Sequence, residues 1–142
     1  MNNEFCTYKQ SLALKKLGFD KKCFGWYSQH KDKVTPHIPC SHNTDYNTVT
    51  RPWTTDEFEC CTAPLKQQAF KFFREKHGSH SHISKYKDNN FYHYDIFVDE
   101  VDEDGDECYE TYPCNHLYNT YKEAESACLD KLIEIAKNKN DE

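Results

Sequence analysis

At roughly 100–200 residues per domain, a chain of 142 residues reads as one domain. It holds 18 Lys and Arg against 24 Asp and Glu, a net charge of −6. No run approaches the ~18 apolar residues of a membrane span, and Met1 is followed by Asn2, Asn3 and Glu4 rather than by a basic and then apolar leader. Neither a membrane protein nor a secreted precursor is therefore expected, and a cytoplasmic location is. Leu, Ile, Val and Phe make up only about 18 % of the chain, near the level at which disorder competes with folding. Ten Tyr, two Trp and eight Cys add apolar surface and favour a folded domain with an aromatic core. None of the cysteines forms a CxxC pair, so reduced thiols are expected, several of them serving as small core residues.

Thr7-Tyr8-Lys9-Gln10 has the form of a capping box, and the following helix carries Leu12, Ala13 and Leu17 before Gly18 ends it. Cys23-Phe24-Gly25-Trp26-Tyr27 reads as a strand, so residues 7–27 form a helix–strand unit. Residues 30–57, broken by Pro36, Pro39 and Pro52, read as an irregular loop with a short strand near Val34. A second helix is expected after Thr62 as its cap, with Pro64 in its first turn and Leu65, Ala69, Phe72 and Phe73 at helical spacing up to His77-Gly78. Strands His80–Tyr86, Phe91–Val101 and Glu107–Leu117 follow, with Asp104-Gly105 as a two-residue hairpin loop. Thr120-Tyr121-Lys122-Glu123 opens a last helix that buries Ala124, Cys128, Leu132 and Ile135. Residues 62–137 thus read as helix, three strands, helix. The expected class is α+β: an antiparallel sheet of three or four strands with about three helices on one face.

Strand side chains alternate between faces, so these turns project a register. A loop at Asp104-Gly105 sets Phe97 opposite Tyr112, Asp95 opposite Cys114 and His93 opposite His116. The first turn sets Ser84 opposite His93 and His82 opposite Asp95. Tyr92, Tyr94, Ile96 and Val98 then face the core with Ile83 and Leu117. The open face collects His80, His82, Tyr86, His93, Asp95, Phe97, Tyr112, Cys114 and His116, a candidate surface for a small ligand such as a nucleotide. Imidazole and thiolate groups make His93, Cys114 and His116 the candidates for a Zn-like metal. The Pro-Cys-x-His segments at 39–42 and 113–116 strengthen that thought, but Cys-x-His is not a usual zinc spacing, and no cofactor is assigned.

The charge is segregated. Residues 95–110 contain nine carboxylates and no Lys or Arg, so the rest of the chain carries +3. Asp99, Glu100, Asp102, Glu103, Asp104, Asp106 and Glu107 form an acidic hairpin, a candidate docking site for a basic partner. Its resemblance to a calcium loop stops at Glu100 in the first position and Thr111 in the twelfth, where a bidentate Glu is required. Phosphate loops, dinucleotide fingerprints and nucleophile elbows are missing, which favours a binding protein over an enzyme.

Three segments carry a resemblance: Phe5-Cys6-Thr7-Tyr8-Lys9-Gln10 with Leu12 to Asp20, Ala63-Pro64-Leu65-Lys66-Gln67-Gln68-Ala69-Phe70, and Thr120 to Glu125 with Cys128 to Ile135. Together they resemble a group of small uncharacterised proteins carried by phages and mobile elements of Bacteroides-type gut bacteria. That resemblance implies a phage or mobile-element accessory protein made in the bacterial cytoplasm and carries no activity with it. From the charged hairpin and the open sheet face, the expected function is non-enzymatic, stoichiometric binding to a host protein, as in counter-defence. The helix–three strands–helix order is also similar to the double-stranded RNA-binding domain. That family reads phosphates with a Lys-rich start to its last helix, where this chain has Lys122 beside Glu123 and Glu125, so a nucleic-acid partner is not expected.

Overall fold

The computed structural model describes residues 4–27, 34–40, 48–50, 57–59, 61–86, 90–114 and 116–140, with only the backbone from 35 to 59. Among these residues, three α-helices and eight strands follow in the order α1 (Tyr8–Lys16), β1 (Cys23–Tyr27), β2 (Val34–Cys40), β3 (Thr48–Thr50), β4 (Glu57–Glu59), β5 (Cys61–Ala63), α2 (Lys66–His77), β6 (Ser79–Lys85), β7 (Tyr92–Val101), β8 (Glu107–Pro113) and α3 (Tyr121–Asn140). All strand pairings are antiparallel, and the class is α+β. The chain divides into two compact units, Met1–Ala69 and Phe70–Glu142.

In the first unit, β1 lies between β2 and β5. Thr7 caps α1 as expected: its hydroxyl accepts from the Gln10 N–H, and the Gln10 side chain accepts from the Thr7 N–H. Phe5, Tyr27, Cys61 and Ala63 form a buried cluster, with Tyr8, Val34 and Leu65 against it. The Tyr27 hydroxyl donates to the Cys6 carbonyl, and the Cys6 N–H donates to Pro64 O at 2.8 Å. Gly25 is required by close approach, since a Cβ there would lie 2.5 Å from Val34 Cγ1. Part of the span expected as loop is strand. Backbone pairing of β2 with β1 and of β3 with β4 runs through it, and Pro36 is accommodated opposite Gly25.

The start of the second helix requires a correction. Thr62 is not its cap, and Pro64 precedes it, because residues 61–63 are claimed by pairing with β1, where Thr62 lies opposite Trp26. The helix begins at Lys66, and Gln68 takes over the cap by accepting from the Leu65 N–H at 2.9 Å. The same Gln68 amide donates to Lys22 O at 2.7 Å. Cys60, just before β5, lies outside the described residues.

In the second unit, the order is β6-β7-β8, the antiparallel sheet that the sequence suggests. Tyr94, Ile96 and Val98 of β7 are buried, and α3 lies against β6 and β7 with Ala124, Cys128, Leu129, Leu132, Ile133, Ile135 and Ala136 buried. Every 3.6-period position expected on that helix is in the core. Thr120 accepts from the Glu123 N–H at 3.1 Å, while the Glu123 carboxylate reaches Asn119 N rather than closing the box on Thr120. At the end of α2, Gly78 takes φ +61°, and its carbonyl accepts from Asp99 N at 2.9 Å, so the chain turns directly from helix into β6. Leu117, expected inside, is 41 % exposed. No helix of the described residues is long and apolar enough to cross a membrane.

His77, in the last turn of α2, sets its ring against Phe72 and Phe73 at centroid distances of 5.3 and 5.6 Å. Burial, and then the charge of Lys139, hold its pKa below the ordinary 6.5. Below pH 6.5 the unfolded chain therefore binds this proton before the folded one does. Stability from this residue is complete above that pH and declines as pH falls towards the lower folded value. Thermal melts should show a loss on acidification that is smaller in His77→Phe; identical pH profiles would exclude His77 as its source.

Candidate functional site

The site is the β6–β7–β8 sheet with its acidic hairpin, and its geometry is set at the turn. The Asp102 carboxylate accepts from Asp104 N at 3.0 Å and from Asp106 N at 2.8 Å. Gly105 N donates to Asp102 O at 3.0 Å, and Asp102 N donates to Asp106 O at 2.9 Å. Gly105 has φ +86°, the left-handed conformation that follows a type I turn in a three-residue hairpin. The loop is thus Glu103-Asp104-Gly105, not Asp104-Gly105. Asp102 wins because its side chain satisfies two turn amides that a two-residue loop leaves to water.

That extra residue shifts β8 by one against expectation. Phe97 lies opposite Thr111, Asp95 opposite Pro113 and Val101 opposite Glu107. The β6–β7 register agrees with expectation, with His82 opposite Asp95 and Ser84 opposite His93. A one-residue slip exchanges the two faces of a strand. Tyr112 and Cys114 therefore leave the projected open face. Tyr112 pairs with Ile96 on the buried side, and Cys114 hydrogen-bonds and couples electrostatically to Tyr94. Burial first, and then Cys114, raise the Tyr94 phenol well above its ordinary pKa.

His116 does not meet His93 either. Tyr92 pairs with Tyr118, so the segment after Pro113 holds two more residues than the β7 segment opposite. The Cys114 thiol gathers that slack, donating to His116 O at 3.0 Å and accepting from His116 N. The His116 ring rests on Tyr118 at 4.8 Å. The metal candidates His93, Cys114 and His116 are thus dispersed. Among the described residues no three His, Cys, Asp or Glu side chains are arranged to hold a metal ion. Ser41 and His42 of the earlier Pro-Cys-x-His segment lie outside those residues.

What the open face does carry is His80, His82, Ser84, His93, Asp95, Phe97, Asp99 and Val101, joined by Glu107, Tyr109, Thr111 and Pro113. Tyr109 stands edge-on to Phe97 at 5.7 Å, the place expected for Tyr112, and Tyr86 stands edge-on to His93 at 5.8 Å. His93 Nε2 lies 3.1 Å from the Ser84 hydroxyl and 3.7 Å from Asp95. His80 lies 3.2 Å from Asp99, an exposed pair that adds little stability. Val101 and Tyr109 remain 67 % and 65 % exposed, large side chains left in water beside the acidic tip.

The hairpin carboxylates have unequal tasks. Asp99 is met by His80, Glu100 by Lys139 at 2.8 Å, and Asp102 by its own backbone. Glu103, Asp104, Asp106 and Glu107 are exposed and have no cationic partner among the described residues. Tyr109 escapes the sequence-based projection because a two-residue loop sets the β8 register one residue off, whereas Val101 lies on the face of Phe97 in either register. The signal was present in Asp102-Glu103-Asp104-Gly105, which has Asp in the first and Gly in the fourth position of a type I turn.

No protein-family model, curated protein or solved structure matches this chain.

Two expectations follow. Asp102→Ala should cost about 1 kcal/mol in a urea melt while Asp102→Asn, which keeps an acceptor oxygen, should cost much less; equal losses would remove Asp102 from control of the turn. Burial pushes the Cys128 thiol up to about 12, leaving only ~10⁻⁴ ionised at pH 8. Mass spectrometry after brief iodoacetamide treatment should find exposed Cys108 alkylated and Cys128 spared until denaturant is added.

Proposed function

We propose that this chain is a non-enzymatic accessory protein of a phage or mobile element, acting by stoichiometric binding to a host protein in the manner of counter-defence. The acidic hairpin and the adjoining open face make the contact. The observation that carries this reading is the exposure of Tyr109 and Val101 beside the solvent-facing carboxylates Glu103, Asp104, Asp106 and Glu107. Apolar surface supplies affinity when dehydrated, and a rim of one charge speeds and orients the approach of a partner of the opposite charge. The phage setting rests on the sequence resemblance of the three helical segments alone. The alternative of a small ligand on the His/Tyr face is weakened by the departure of Tyr112, Cys114 and His116 from the positions it needs.

The test is capture from lysate of a Bacteroides-type gut bacterium by the tagged chain, and by a variant combining Glu103→Gln, Asp104→Asn, Asp106→Asn and Glu107→Gln. Asp102 is kept so that the turn survives. Specific partners should be recovered by the unmodified chain, with yields falling at high salt and in the variant. Equal recovery by both proteins would remove the hairpin as the docking site.

A further inference from the structure

We propose that the free edge of β8, from Glu107 to Thr111, is a strand-addition site for an extended segment of a partner protein bearing Lys or Arg. This inference rests on the protein-docking reading above and assigns it a mode and a partner chemistry. Among the described residues β8 ends the order β6-β7-β8, and Glu107 through Thr111 are exposed on both faces of the strand. The hydrogen bond from Asp102 N to Asp106 O sets the phase of the ladder. Antiparallel strands alternate the direction of their backbone groups, so Cys108, Glu110 and Tyr112 bond towards β7. The N–H and C=O groups of Glu107, Tyr109 and Thr111 then point away from the sheet. The other side of the ladder agrees, since Asp99 N is directed at Gly78 O, towards β6.

A row of outward donors and acceptors on an edge with both faces open is what an added strand needs. Charge selects the occupant. Glu107 and Glu110 stand on opposite faces of β8, so a strand laid alongside meets a carboxylate whichever face it turns to them. Asp104 and Asp106 extend that field at the turn, and residues 95–110 supply no cation of their own. A second copy would bring one carboxylate-rich edge against another, which like-charge repulsion disfavours. Alternating cationic and apolar residues would place positive charge against the glutamates and apolar contact on Tyr109.

The test uses a short peptide alternating Lys and Val, the same peptide N-methylated at alternate backbone amides, and an alternating Glu and Val peptide. Amide hydrogen exchange and titration calorimetry are the readouts. The Lys-Val peptide should slow exchange at Tyr109 and Thr111, and N-methylation of the bonding amides should weaken it by about tenfold or more while leaving its charge intact. The Glu-Val peptide should not bind. Tyr109→Pro removes only an outward N–H, which an edge strand tolerates, and should abolish the protection; the methylated peptide keeps the test decisive should that variant fail to fold. Equal binding of the methylated peptide would overturn the proposal in favour of bare charge attraction. Concentration-dependent dimers protecting the same amides without peptide would overturn it in favour of a second copy. Lysate capture that falls with the charge variant but not with folded Tyr109→Pro would sink strand addition alone, whereas no specific capture by the unmodified chain would sink the docking reading.

Discussion

The two hydrogen bonds that the Asp102 carboxylate accepts from its own turn govern what the surface of the second unit looks like. They hold a three-residue loop, and loop length sets the pairing of β8 with β7. Because strand side chains alternate, this local choice decides for the whole of β8 which residues share the open face with Phe97 and Val101. Tyr109 is brought beside Phe97, and Tyr112 is turned towards Ile96. A carboxylate placed to bind a partner and one placed to shape the backbone are indistinguishable by composition. Asp102 is of the second kind, while its neighbours at 103, 104, 106 and 107 keep their charge in solvent.

The same unit shows how a small sheet is stabilised on one side and left open on the other. The α3 helix covers β6 and β7, burying Tyr94, Ile96 and Val98 under its stripe of Leu, Ile, Ala and Cys. Carboxylates at Glu107 and Glu110 and proline at 113 on β8 are the devices by which proteins discourage their own edges from pairing with copies of themselves. A negative edge that repels its own kind is, by the same electrostatics, attractive to a cationic strand.

In the first unit the constraints are steric. Gly25 lets Val34 approach the β1 backbone, and Tyr27 ties its hydroxyl to the chain at Cys6 across the sheet-edge segment that pairs Phe5 with Leu65. With few aliphatic residues available, the rings of Phe5 and Tyr27 pack at the centre of this cluster, and the Tyr27 hydroxyl finds its acceptor in the Cys6 carbonyl.

Local chemistry determined much of this protein from its sequence alone. The capping residues Thr7 and Thr120, the 3.6-residue stripe of α3, the stop at Gly78, the β6–β7 register and the segregation of acid into one hairpin all depend on residues close together in the chain, where propensity and pattern act directly. Three features depended on tertiary structure. Thr62 became a strand residue because β1 offered it a ladder, a non-local partner that no local signal announces. The strands within residues 34–59 formed despite proline and polar composition, β2 by pairing with β1 and β3 by pairing with β4, which the composition of the span does not announce. The β7–β8 register turned on a competition between two loop lengths, both compatible with Asp-Gly. It was decided by where the Asp102 side chain finds its hydrogen bonds, a matter of three-dimensional geometry that alternation along the strand then amplifies into a different surface.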